Sequence, residues 1–157
     1  MKTLKIILII LLFFTTKSYS QSDDGWFTGK ITCGIAADKY QNYPQINCAY
    51  FYNFENHFSI ATQSGLIFYD TELMPIESCL RIRPIGKKEI MPALNLSYGY
   101  AISFDNKYKG GQIFSPAISF ETGFIKRVNY VIEFGGQFFK LNSRKIKNWF
   151  INFGIEI

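Results

Sequence analysis

The chain has 157 residues, enough for one domain, with 17 Lys and Arg against 12 Asp and Glu, a net charge of +5. Aromatic residues make up 18%, with 16 Phe and 10 Tyr, and charged residues also make up only 18%, below the roughly one quarter usual for a soluble domain. That excludes a densely charged, well-solvated surface, and the three lysines of residues 1–20 carry most of the basic excess, so no nucleic-acid partner is expected.

Residues 1–20 read as a signal peptide. Lys2 and Lys5 form a positive start, residues 6–14 are an unbroken apolar run, and Ser18-Tyr19-Ser20 supplies small residues for cleavage before Gln21. Nine apolar residues are too few to cross ~30 Å of hydrocarbon. No cysteine follows the cut, which argues against a lipoprotein. The expected organisation is an export signal over 1–20 and one domain over 21–157.

After residue 20 no long segment repeats at 3.6 residues; alternation with a period of two recurs instead, broken by turn residues roughly every ten to fifteen positions. In the first half the expected strands are 26–36, 45–54, 57–68 and 72–83. In the second half the alternation is cleaner. Leu94, Leu96, Tyr98, Tyr100, Ile102 and Phe104 share one face; Phe114, Pro116, Ile118, Phe120 and Phe124 share the next. Tyr130, Ile132, Phe134 and Phe138 follow, and then Trp149, Ile151, Phe153, Ile155 and Ile157. The opposite faces carry Gly, Ala, Ser and Asn with an occasional charge, and only Phe150 breaks the last of them.

Eight such segments, each close to the ~9–11 residues that let a tilted strand cross a bilayer, predict an all-β fold. It is a single eight-stranded antiparallel up-and-down transmembrane β-barrel with both termini in the periplasm. The face assignment follows from side-chain size. A soluble barrel turns its apolar face inward and its charges outward, whereas the second face here is too small and sparsely polar to be a solvated exterior. The large rings therefore belong outside. Trp26, Tyr50, Tyr52, Tyr69, Tyr98, Tyr100, Tyr130 and Trp149 lie near segment ends, as expected of interfacial aromatic girdles.

The inward face then carries Lys30, Glu77, Arg81, Arg83, Glu121, Glu133 and Glu156. Buried charges need partners, so a lumenal ion-pair network is expected around Arg81 and Arg83. It is read as a plug that fixes register, the alternative being a narrow solute path. Among the connections expected at the outer side, Lys39, Lys107, Lys109, Arg144 and Lys145 are candidates for contact with lipopolysaccharide phosphates. Cys33 and Cys48 are a candidate disulfide across the first hairpin, with three free, buried thiols (Cys79 included) as the alternative.

His57, the only histidine, stands two residues from Ser59, which raises a lipid-modifying barrel enzyme as an alternative. The pair is too widely spaced for a dependable hydrogen bond and no acid is placed to orient the ring, so no catalytic residue is assigned. No metal spacing occurs, and Gly110-Gly111 and Gly135-Gly136 lack the strand-to-helix setting of a phosphate loop, so no cofactor is expected.

Pro92 to Tyr100, Lys109-Gly110-Gly111, Phe114-Ser115-Pro116-Ala117 and the ending Phe150 to Ile157 together resemble small outer-membrane β-barrel proteins of Bacteroidota, porin-like in character. The likeness covers about 65 residues and its motifs are generic to membrane barrels. It implies a closing strand read by the barrel-assembly machinery, although Ile157 stands where a final aromatic is commoner. The expected function is a non-enzymatic, monomeric envelope protein with a structural, protective or weak small-ligand role. Membrane lipid and lipopolysaccharide are its expected surroundings. A soluble periplasmic barrel binding an apolar ligand is the remaining alternative.

Overall fold

A computed structural model describes residues 26–69, 72–85, 90–104, 110–125, 128–141 and 144–157. The expected signal peptide lies outside them. Eight strands follow in chain order: β1 (Trp26–Ala37), β2 (Asn42–Asn53), β3 (Phe58–Phe68), β4 (Glu72–Ile82), β5 (Ile90–Ser103), β6 (Gly111–Ile125), β7 (Val128–Leu141) and β8 (Arg144–Glu156). Each pairs antiparallel with its sequence neighbours, and β1 pairs with β8, closing the barrel. The expected strands are recovered within a few residues at each end. β6, β7 and β8 extend furthest beyond the alternating cores from which they were recognised.

Closure runs from Lys30↔Glu156 to Ala37↔Trp149. It is finished by reciprocal backbone bonds between Gly29 and Ile157, at 2.8 and 2.9 Å. Two ladders lapse locally. The β3–β4 pairing pauses between Ser64↔Ile76 and Ile67↔Leu73, around Pro75. The β6–β7 pairing pauses between Phe114↔Phe138 and Ala117↔Gly135, around Pro116. Proline has no N–H to give a ladder, and the same number of residues lies on both sides of each gap, so register survives.

Side chains segregate by polarity in the reverse sense to a water-soluble protein. Ile31, Ile35, Ile60, Leu80, Leu94, Ile118, Phe134 and Phe153 face outward and are exposed. Arg81 and Glu121, by contrast, are 0% exposed and face the lumen.

The lumen is divided along its length. At the end bearing the β1–β2 connection, Tyr43, Ile67, Leu73, Ala101, Ile113, Phe139 and Leu141 form an apolar cluster, with Tyr69 and Ile146 packed against it. Tyr69, expected among the interfacial girdle, thus contributes to the lining of this mouth instead. Deeper, Phe150 packs with Ala36 and Ala117. Gly135 makes room for it: a Cβ there would stand 2.6 Å from the Phe150 ring and 2.5 Å from the Pro116 carbonyl oxygen. The opposite end, near the termini, is polar and charged.

Candidate functional site

The charged end is built from side chains that alternation turns inward on all eight strands and on Arg83, the residue that follows β4. Arg81, near the end of β4, reaches across the lumen. Its Nη1 donates to Glu156 Oε2 at 2.7 Å and pairs with Glu121 Oε1 at 3.0 Å. Its Nε donates to Asn95 Oδ1 at 3.1 Å. The guanidinium lies over the Phe51 ring, 3.5 Å from its centroid, so one face meets a π-cloud while the edge meets carboxylates.

Arg83 adds a second set of contacts. Nε and Nη2 both donate to Glu121 Oε2 at 3.1 Å, and Nη2 lies 3.4 Å from Glu156 Oε1. Nη1 donates to Ser59 Oγ at 3.0 Å and to Asn53 Oδ1 at 3.2 Å. Thr28 donates to Glu156 at 3.0 Å. Two arginines and two glutamates therefore form a square that ties β4 to β6 and β8.

A relay of amides joins this square to a separate pair. Asn95 Nδ2 donates to Glu133 Oε1 at 3.1 Å and to Ser119 Oγ at 3.0 Å. Glu133 in turn accepts from Lys30 Nζ at 3.3 Å through both oxygens. Lys30 also stands 5.4 Å from the centroid of Phe51, which thereby faces two cations. Six of the seven charged residues expected inside are thus connected. Glu77 is also buried but, among the described residues, makes no ion pair. It lies beside Gln63 and Ser115.

Between the charged square and the apolar cluster sits a layer of amides. Gln45 donates to Asn152 at 2.7 Å and accepts from Gln137 at 3.1 Å. Thr32 Oγ1 and the Asn148 amide are buried there with no hydrogen-bond partner among the described residues. Sequence reasoning missed Asn53, Ser59, Asn95 and the amide layer. Their inward parity was readable, but nothing in the alternation separates a network member from a small filler.

Several expected features are placed differently. Cys33 opposes Ile46 and Cys48 opposes Ile31, so the two thiols face outward two positions out of step. Such diagonal neighbours stand ~7–8 Å apart, beyond the span a disulfide bridges. All three cysteines are free, and the candidate disulfide is not made. Nor are all three buried: Cys79 is buried, Cys48 half-buried and Cys33 exposed.

His57 lies in the β2–β3 turn, where its Nδ1–H donates to the Arg83 carbonyl at 2.8 Å. Ser59 Oγ is buried in the lumen, donates to Asn53 and accepts from Arg83, so it takes part in the arginine network. Lys39 is exposed in the β1–β2 loop, 5.6 Å from the Tyr40 ring centroid, and Lys145 is exposed at the start of β8. Lys107, Lys109 and the Arg144 side chain lie outside the described residues.

Outside the barrel, Phe27 stacks on Tyr50 with centroids 5.2 Å apart, beside Tyr52 and Phe54. Together with Ile60, Thr62 and Ser78, Phe27, Tyr50 and Tyr52 line an outer-wall depression of about 520 Å³. It opens away from the lumen.

No protein-family model and no curated protein sequence matches the chain. Solved structures do. The chain is similar to Neisserial surface protein A, with 11% identity and a TM-score of 0.65 over 85% of this chain and 96% of that one. It is similar to the N-terminal β-barrel domain of Pseudomonas aeruginosa OprF, with 10% identity and a TM-score of 0.59 over 85% and 99%. The Yersinia pestis outer membrane protein Ail in a phospholipid bilayer nanodisc matches at 13% identity and a TM-score of 0.51 over 84% and 100%. At these identities the likeness is one of fold.

Proposed function

We propose that the chain is a non-enzymatic β-barrel of a bacterial outer membrane, its termini on the periplasmic side and its lumen plugged. The observation that carries this reading is the inverted polarity. Ile118, Phe153 and Trp149 are 51%, 51% and 72% exposed, whereas the Arg81–Arg83–Glu121–Glu156 square is buried. Water would penalise such an exterior, and lipid would welcome it. The likeness of residues 92–157 to the small outer-membrane barrels of Bacteroidota, and of the fold to Ail in its bilayer, fits the same surroundings.

The two fillings of the lumen support a structural or protective role over conduction. An apolar cluster at one end and an ion-paired square at the other leave no polar path from end to end in a barrel this narrow. A lipid-modifying activity would need His57 to activate a nucleophile, whereas Ser59 Oγ is engaged by Asn53 and Arg83 and His57 by the Arg83 carbonyl. A soluble barrel with an apolar ligand would need an apolar cavity inside, where this lumen is packed with side chains.

Fractionation and gel behaviour test the proposal. The protein is expected in the outer-membrane fraction, released by detergent and not by osmotic shock, and to migrate differently boiled and unboiled. Soluble periplasmic protein with no shift on boiling would overturn it. A phenotype of His57→Ala in lipid composition would revive the enzyme reading.

A further inference from the structure

Among the described strand residues, charge on the outer wall falls in two places. The charged ones that face outward are Glu72 on β4 and Lys140, Lys145 and Lys147 on β7 and β8. In a closed ring of eight strands, β4 stands opposite β8, so the acid cannot neutralise the bases. Lys140 faces Lys145 directly across the β7–β8 ladder, and Lys147 faces Phe138 one step below. Directly opposed like charges destabilise a strand pair. None of the three forms an ion pair among the described residues, and all three are exposed.

What lies beneath them is as specific. Phe138 stacks with Phe114, centroids 6.3 Å apart, and Trp149 projects two residues beyond Lys147 on the same face. Gln112 pairs with Lys140 and adds a polar donor at the rim. The corner thus presents a cationic upper edge and an aromatic lower wall, with long lysine stems able to lie along apolar surface while their heads stay at its border.

We propose that this corner, Lys140, Lys145 and Lys147 above the Phe114–Phe138 pair and Trp149, binds the phosphate headgroup of an anionic membrane lipid. The proposal rests on the membrane reading above. An ordinary soluble anion would satisfy the lysines but has no use for the rings below, whereas a phosphorylated lipid satisfies both.

The sequence contains two tryptophans, so Trp26→Phe leaves Trp149 as a single reporter beside the site. This protein is folded into phosphatidylcholine vesicles containing either brominated phosphatidate or brominated phosphatidylcholine at equal mole fraction. Bromine quenches tryptophan on contact, and the ratio of quenching gives relative occupancy. The expected preference for phosphatidate is at least about fivefold, what one lysine near an anionic surface contributes. Changing Lys140, Lys145 and Lys147 together to Gln should reduce it to about one, and changing them to Arg should retain it, with the boiled–unboiled gel shift verifying that each variant folds.

Equal quenching by both lipids in the parent protein overturns the proposal, as does a preference that survives the Gln changes. Inorganic phosphate in excess, at matched ionic strength, should leave the preference intact; its loss would assign the lysines to a soluble anion instead. Quenching by neither lipid would overturn the membrane reading itself, an outcome distinct from equal quenching by both.

Discussion

The two ends of the lumen are filled by opposite chemistry. The mouth that bears the β1–β2 connection is filled by the apolar cluster of Tyr43, Ile67, Leu73, Ala101, Ile113, Phe139 and Leu141. The end near the termini is closed by Arg81, Arg83, Glu121 and Glu156, whose ion pairs span 2.7 to 3.4 Å. Each apolar side chain in the first contributes its own area and contacts. In the second, no member can be removed without stranding another charge. The comparison teaches that one end is a sum of parts and the other a unit, so they should fail differently.

The largest effect is expected at Arg81. Arg81→Met leaves Glu121 and Glu156 short of a partner in a buried setting, and should lower unfolding stability by ~3–5 kcal/mol. Urea unfolding of the detergent- or lipid-embedded barrel, followed by tryptophan fluorescence, measures this. A loss below about 1 kcal/mol, the scale of an exposed pair, would show that the square is not a unit. At the apolar end, Leu73→Ala should cost ~2–4 kcal/mol by cavity formation. The effects of Leu73→Ala and Phe139→Ala also bear on sealing. Even combined, they should leave planar-bilayer conductance at background, because the charged square still blocks the lumen. A steady conductance in that double variant would mean the apolar end alone forms the seal.

Between the two ends, Gly135→Ala should cost ~1–3 kcal/mol by overpacking against Phe150 and the Pro116 carbonyl. Pairing it with Phe150→Leu should recover part of that loss. The smallest effect belongs to the rim that bears the β1–β2 connection. Asp38 caps the β1–β2 connection, accepting from the backbone N–H of Tyr40 at 2.6 Å and of Gln41 at 2.8 Å. Tyr43 also donates its hydroxyl to Asp38, at 3.0 Å. The Tyr40 amide, together with the Gln41 amide and the Tyr43 and Tyr69 hydroxyls, holds the carboxyl below its ordinary value against the opposing pull of desolvation.

A lowered folded-state pKa stabilises above the unfolded value and is lost as pH falls through the folded one. Asp38→Asn should therefore lose this small stabilisation of the loop at neutral pH and remove its further loss on acidification. Amide exchange at Tyr40 and Gln41 between pH 6 and pH 3 reads it; identical acid sensitivity in the variant would show that Asp38 does not hold the loop.

Period-two alternation made the two faces legible because a strand has only two sides. It could not say which inward residues meet. Arg81 and Glu156 are 75 residues apart in sequence, and their contact depends on strand tilt and stagger, which alternation does not encode. The same stagger sets Cys33 and Cys48 two positions apart. The apolar mouth escaped notice for another reason. Ile113-Phe114, Phe138-Phe139 and Leu66-Ile67-Phe68 are places where both faces are apolar, so they look like lapses in the pattern. They were in fact its second signal, marking where the interior changes from polar to apolar. His57 and Ser59 looked like neighbours on one strand face; in the structure the histidine bonds the Arg83 carbonyl, whereas the serine is taken up by Asn53 and the Arg83 guanidinium.

The strand that closes the barrel also brings Glu156, the acid shared by both arginines. Thr28 on β1 and Glu156 on β8 are 128 residues apart, so neither the seam nor the shared counter-charge exists until β8 is in place. Before that moment the assembling sheet has two open edges and Arg81 and Arg83 still lack one of their two shared acids. Shape completion and charge neutralisation are then a single event. A chain truncated before Glu156 would be left both unsealed and electrically unbalanced.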